Sequence, residues 1–272
     1  MQMLDDLAKR IGKPYEKGAV IFRQGDTGDT MYIVHSGAVE VRREQGGASS
    51  VVARLGRGEF FGEMALVDRE PRSATVAAAE PSLVVPITRD FVFKHTQKDT
   101  KFIFSILEGL CHRLEATNKL IRERFAGRPE PVIALVSKEA YEEPRSAAFL
   151  KSIGGAAKPG SARKFEAGAE VFKRGIPGDV MYVILDGKIQ IVQDEQQKRY
   201  VFVELGRGSF FGELALITGR ERTATAMVSE PATLLPLDRQ SFLDRIRSDP
   251  EVALHVVQIL ILRLRRSLRA VG

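Results

Sequence analysis

The chain has 272 residues, of which 44% are hydrophobic and 28% charged, with a formal net charge of +6 and one cysteine. That length suits two domains of about 110–150 residues each, and the composition is that of a globular protein rather than a disordered or membrane-embedded one. The lone Cys111 excludes an internal disulfide, which suits a cytoplasmic location, and the positive charge permits anionic contacts without requiring them.

The N-terminus, MQMLDDLAKRIGK, has no uninterrupted apolar stretch, so no secretory signal is expected. Tyr15–Val41 reads as short strands: MYIV is rich in β-formers, VEVRR alternates, and glycines at Gly25–Gly28 and Gly37 mark turns. After Pro86 the period changes. Asp90–Arg124 carries Ile103, Ile106, Leu107, Leu110 and Leu114 at helical spacing, with Cys111 among them as a small core residue. Ala126–Ser161 is punctuated by Pro129, Pro131, Pro144, Pro159 and Gly154–Gly155 and reads as a linking region, with a short helix over Arg145–Ile153.

From Phe165 the chain repeats itself at an offset of 150. Phe165–Ile191 matches Tyr15–Val41, and 15 of the 27 positions in Leu55–Pro81 recur ungapped in Leu205–Pro231. Such self-similarity identifies a tandem duplication. The helical period returns over Gln240–Arg269, with Val256, Ile259, Leu260 and Leu264 in phase. The apolar run Val252–Leu262, broken by His255 and Gln258, is too short to span a bilayer. Arg263, Arg265, Arg266 and Arg269 follow; they read as cations favoured at a helix C-terminus, with an anionic partner as the alternative. The division expected is a first domain over 1–127, a connector over 128–144 and a second domain over 145–272. Each domain is a small antiparallel barrel or sandwich followed by helices, a mainly β arrangement of the α+β class.

The repeated block carries the chemistry. Gly62 and Gly212 precede good helix formers, so each opens a short helix whose free N–H groups favour an anion. Ten residues on stand Arg72 and Arg222, side chains that fork onto phosphate oxygens, beside the hydroxyls of Ser73 and Thr223. Glu63 and Glu213 would repel a bare phosphate. They make sense if the ligand also presents hydroxyls, so the block sketches a sugar-phosphate site. Other motifs fall away. Gly56-x-Gly58-x-x-x-Gly62 lacks dinucleotide spacing, and Gly155–Gly160 with Ser161 lacks the P-loop lysine. His35, His95, His112 and His255 form no metal-ligand pair, and no nucleophile–base constellation appears, so neither metal nor catalysis is expected.

On these residues each copy resembles the phosphate-binding cassette of cyclic-nucleotide-binding domains. These occur in regulatory subunits of cAMP-dependent protein kinase, in the bacterial catabolite activator protein and in cyclic-nucleotide-gated channels. The resemblance implies a jelly-roll-like β-roll of eight strands, with one helix before it and two after. It implies that Glu63 and Glu213 accept the ribose 2′-OH and that Arg72 and Arg222 pair with the cyclic phosphate. Backbone N–H groups of Ala65, Ala215, Ser73 and Thr223 complete the cradle, and Gly62 and Gly212 admit the sugar. Met64 and Leu214 link the cassette to the helices, and Val52 and Phe202 line the base pocket. Since neither copy has lost its Glu or Arg, two competent sites are expected.

The ligand implied is cAMP, with cGMP open at the second site. Ser73 follows the cAMP-preferring pattern, whereas Thr occurs both in cGMP-selective kinase sites and in channels that take cAMP. No separate cofactor is implied. The segments expected to respond to ligand are Phe102–Phe125 and Val252–Leu268, acting on a protein effector. Only about 36 residues follow Pro236 and about 14 precede the first strand, without an Arg-Arg-x-Ala/Ser sequence. Direct DNA binding is therefore not expected, and the kinase-subunit layout is matched in its tandem domains and loosely in the connector's AYEE…FLKSI, but not in the segments expected before the first domain. A kinase-regulatory inhibitor and the ligand-binding part of a larger transcription regulator or effector stand as alternatives, with the oligomeric state open.

Overall fold

The computed structural model describes residues 2–45, 47–62, 71–88, 90–91, 94, 100–125, 153, 161–195 and 198–271. The connector expected over 128–144 lies outside them, and of 145–153 only Ile153 is described, where it is buried. The chain packs as two compact units, Met1–Lys98 and Asp99–Gly272. The division at residue 127 follows the repeat, whereas the division by packing falls earlier. The helix Thr100–Phe125, which ends the first repeat, buries its apolar face within the second unit.

The first unit begins with α1 (Gln2–Ile11), whose Leu7 and Ala8 are buried. Asp5 Oδ1 anchors it, bonding His35 Nε2 and accepting from Arg57 Nη2, each at 2.8 Å. Eight strands follow: β1 (Lys13–Tyr15), β2 (Val20–Phe22), β3 (Thr30–Ser36), β4 (Val39–Gln45), β5 (Ala48–Leu55), β6 (Phe60–Phe61), β7 (Thr75–Ala78) and β8 (Ser82–Thr88). They form two antiparallel four-stranded sheets, β1-β8-β3-β6 and β2-β7-β4-β5. Of the two expected forms, barrel or sandwich, the sandwich is realised. Inward residues at alternate positions, among them Val34, Val39, Leu55, Phe61, Val76 and Val84, make its core.

The second unit repeats this plan with longer strands. α2 (Thr100–Phe125) comes first, then β9 (Arg163–Phe165), β10 (Glu170–Phe172), β11 (Val180–Glu195), β12 (Lys198–Leu205), β13 (Phe210–Phe211), α3 (Glu213–Thr218), β14 (Thr225–Asp238), α4 (Arg239–Ser248) and α5 (Pro250–Val271). β11 and β14 pair along their lengths, with register shifts between Ile184 and Ile189 that re-aim the strands. Gly187 lies within those shifts at φ +83, where a Cβ would come 2.2 Å from the Pro231 carbonyl oxygen. Gly187→Ala is therefore expected to destabilise the protein by about 1–3 kcal/mol. Urea unfolding should show a lower midpoint with the same slope. Gly206→Ala, where a Cβ meets nothing within 4 Å, should leave the midpoint in place.

The helices are built as the apolar spacing requires. The five α2 positions read as one stripe, Ile103, Ile106, Leu107, Leu110 and Leu114, are all buried, as are Val256, Ile259, Leu260 and Leu264 of α5. α4 starts at Asp238, whose Oδ1 accepts the Ser241 N–H at 2.7 Å, and Pro250 opens α5 at the position proline tolerates best. α5 is apolar on nearly every side through its first turns, because α2 and α4 both cover it. Each fully buried Leu or Ile there contributes about 1.5–3 kcal/mol relative to exposure. Cys111 is fully buried in α2, and burial pushes its thiol pKa well above the ordinary value, leaving it inert. Among the described residues no helix is long and apolar enough to cross a membrane.

Candidate functional site

In the second unit, β13 delivers the chain to Gly212, which adopts a left-handed conformation (φ 80°, ψ 5°) and caps α3. A Cβ at Gly212 would lie 2.7 Å from Arg222 Nη1, so glycine serves both the turn and the close approach. The first intrahelical bond runs from the Leu216 N–H to the Gly212 carbonyl at 3.4 Å; the N–H groups before it face outward from the helix start. Gly219, also left-handed, ends the helix by donating to the Ala215 carbonyl.

Arg222 is held from its backbone outward. Its N–H donates to the Ile176 carbonyl at 2.8 Å, and its own carbonyl accepts from Gly175 at 2.9 Å. The guanidinium donates from Nη1 to the Gly212 carbonyl at 2.8 Å and from Nη2 to the Val180 carbonyl at 2.5 Å. It lies over the Phe172 ring, 4.1 Å from the centroid. The side chain is buried, and its Nε has no hydrogen-bond partner among the described residues. Burial lowers its pKa from the usual arginine value, while Tyr182, Asp179 and Glu213 oppose that shift. A guanidinium stays charged regardless. Arg222 is thus a buried cation with neutral carbonyl partners and donors to spare, an arrangement that an incoming anion completes.

Glu213, the first residue of α3, is also buried. Its Oε1 accepts from Arg263 Nη1 at 2.8 Å, and Arg263 Nη2 donates to the Phe210 carbonyl at 2.6 Å. Arg263 comes from α5 and stacks 4.6 Å from the Phe210 ring centroid. This corrects the reading of Arg263 as a cation set against the helix dipole: it reaches into the site and pairs with the cassette carboxylate. A carboxylate has about four acceptor positions, so Glu213 retains capacity for a ligand hydroxyl.

One pocket collects these groups. Gly212, Glu213, Leu214, Ala215, Arg222 and Thr223 line it, with Phe202, Ile191 and Phe172 on the strand side. Its empty space is about 870 Å³, open mouth included. Gln193 supports the rim, donating from Nε2 to the Thr223 carbonyl at 3.0 Å. The second-copy residues read from sequence are therefore brought together. The pocket also recruits Leu114 and Asn118 from α2 and Arg263, Arg266 and Ser267 from α5, which sequence reasoning missed. A signal for Arg263 existed: Arg113-Leu114 and Arg263-Leu264 stand at the repeat offset.

The first unit builds the same arginine socket. Arg72 donates from Nη1 to the Gly62 carbonyl at 2.9 Å and from Nη2 to the Thr30 carbonyl at 2.8 Å, and lies 4.2 Å from the Phe22 ring centroid. Gly62 is again left-handed, at φ 69. The aromatic trio Phe22, Tyr32 and Phe61 recurs as Phe172, Tyr182 and Phe211, the stacked pair at 5.2 and 5.4 Å. Ser73 is exposed, and Val52 on β5 is 52% exposed. Glu63, Met64 and Ala65 lie outside the described residues.

Residues 12–99 and 162–249 match the family described as the cyclic nucleotide-binding domain. A cAMP-dependent protein kinase regulatory subunit of Dictyostelium discoideum is 29% identical over 235 residues, covering 84% of this chain and 63% of the relative. One from Mucor circinelloides f. lusitanicus is 28% identical over 241 residues, covering 89% of this chain and 49% of the relative. The chain thus spans about half to three-fifths of these relatives. Among solved structures, the regulatory domain of Toxoplasma gondii PKA crystallised with cAMP is 24% identical, covering 92% of this chain and 83% of that one, with a TM-score of 0.33.

Proposed function

Because the chain belongs to the cyclic nucleotide-binding domain family, we propose that it is a receptor for cyclic nucleotides, with cAMP as the ligand and one site in each repeat. The carrying observation is the buried Arg222 guanidinium, bonded only to backbone carbonyls, beside a buried carboxylate in a pocket with an apolar wall. In this reading Arg222 takes the cyclic phosphate together with the N–H groups of Ala215 and Thr223. Glu213 accepts the ribose 2′-OH, Leu214 transmits movement of the cassette, and Phe202 contacts the base. Arg72, Gly62 and Ser73 do the same in the first repeat with Glu63, Met64 and Ala65, and Val52 lies on the corresponding strand. The nucleotide is a signal rather than a cofactor, and the protein a cytoplasmic regulator rather than an enzyme.

The names of the curated relatives favour one form of output, control of a protein kinase catalytic subunit. The terminal helices are the part that would carry the signal, since α5 holds the cassette carboxylate through Arg263. The test is calorimetry on the full chain with cAMP and with cGMP. We expect two cAMP bound per chain. Saturation at one would leave a single working cassette, and no heat with either nucleotide would overturn the reading. Thr223 leaves the second site open to cAMP or cGMP, so the cGMP titration decides it.

A further inference from the structure

The second pocket has a polar end that neither the cassette nor the strands supply. Asn118 of α2 and Ser267 of α5 both line it, and Ser267 Oγ donates to Asn118 Oδ1 at 2.9 Å. The pair joins residues 149 positions apart and shares the pocket lining with the apolar Phe202 and Val203. Ser267 is buried and Asn118 half-buried. Along α5, Ser267 follows Arg263 by one helical turn, about 6 Å, and Arg263 holds Glu213. The pocket therefore offers three polar stations, Arg222, Glu213 and the Asn118–Ser267 pair. On a nucleotide those three stations are phosphate, sugar and base.

With Ser267 donating to its oxygen, Asn118 keeps a second lone pair and both N–H donors of its amide. The amide nitrogen has no partner among the described residues. A primary amide with one acceptor and one donor side by side matches the edge of adenine, where an exocyclic amino group adjoins a ring nitrogen. We propose that Asn118, positioned by Ser267, reads the 6-amino edge of the purine in the second site, so that a helix from the first repeat sets the base preference of the second. The inference rests on the receptor reading above and deepens it for one site. Asn118 would touch the ligand; Ser267 positions it.

The experiment uses the full chain carrying Arg72→Ala, so that titration reports the second site. The probes are cAMP and its 6-deamino analogue, purine riboside 3′,5′-cyclic monophosphate. Loss of the amino group should weaken binding roughly tenfold. Adding Asn118→Ala should bring the two affinities together, mainly by weakening cAMP. Adding Ser267→Ala, which leaves α2 unaltered, should narrow the ratio without closing it. An unchanged ratio in the Asn118→Ala chain, with thermal unfolding unchanged, overturns the proposal while leaving the receptor reading intact. So does the absence of any 6-amino preference before that change. Failure of the unmutated chain to bind either probe overturns the receptor reading, and this proposal with it.

Discussion

Arg222→Ala is expected to empty the second site. The guanidinium is the one buried cation facing Gly212 in that pocket among the described residues, and removing the charged partner of a buried hydrogen-bonded pair typically weakens binding by about 2–5 kcal/mol. That corresponds to roughly 30-fold to several-thousand-fold in affinity. Calorimetry with cAMP should fall from two bound to one, and Arg72→Ala should produce the mirror result. Arg222→Lys keeps the charge but loses the planar fork that reaches the Gly212 and Val180 carbonyls together. It should therefore bind far more weakly than the unmutated chain. Two sites of unchanged affinity after Arg222→Ala would show that the arginine is architectural.

Arg263→Met is expected to destabilise the second unit strongly. The Glu213–Arg263 pair is closed at 2.8 Å, with side-chain exposures of only 5% and 10%. Two buried charges with good geometry are not by themselves strongly stabilising, but deleting one strands the other. That costs about 3–5 kcal/mol. For a unit of this size the unfolding temperature should drop roughly 6–20 °C. Combining Arg263→Met with Glu213→Gln removes both charges and should recover most of the loss. If the double change is as unstable as the single one, packing on Phe210 matters more than the ion pair. Nucleotide binding is read separately, because Glu213→Gln also alters the group proposed to take the ribose hydroxyl.

Much of this was legible in the residues because it is local or repeated. The stripes on α2 and α5 follow a 3.6-residue period, so the buried positions could be named without a structure. Gly212, Glu213 and Arg222 were legible because the turn, the helix start and the fork lie within eleven consecutive residues and recur at an offset of 150. The choice of sandwich over barrel was not, because strand patterns do not say which edges close. In the first unit β1 pairs β8 while β2 pairs β7, so the two sheets end separately. Arg263 stands among four arginines and is set apart only by its match to Arg113 at the repeat offset, which does not say what it touches. Only the fold decides which one meets a carboxylate 50 residues earlier. Asn118 carried still less signal, because its partner stands 149 residues away.

The packing of α2 against α5 has a consequence for how such a chain can be inherited and recombined. The stretch of sequence that was copied is not the stretch that folds. A gene half cut at the repeat junction and carrying only residues 145–272 would encode α5 stripped of one of the two helices that cover its apolar surface. It would have to recover that cover from another molecule. The halves are therefore not interchangeable cassettes to be shuffled at the junction. Drift in the apolar stripe of one helix is answerable to the stripe of the other, so the copies are bound to diverge as partners rather than as independent lineages.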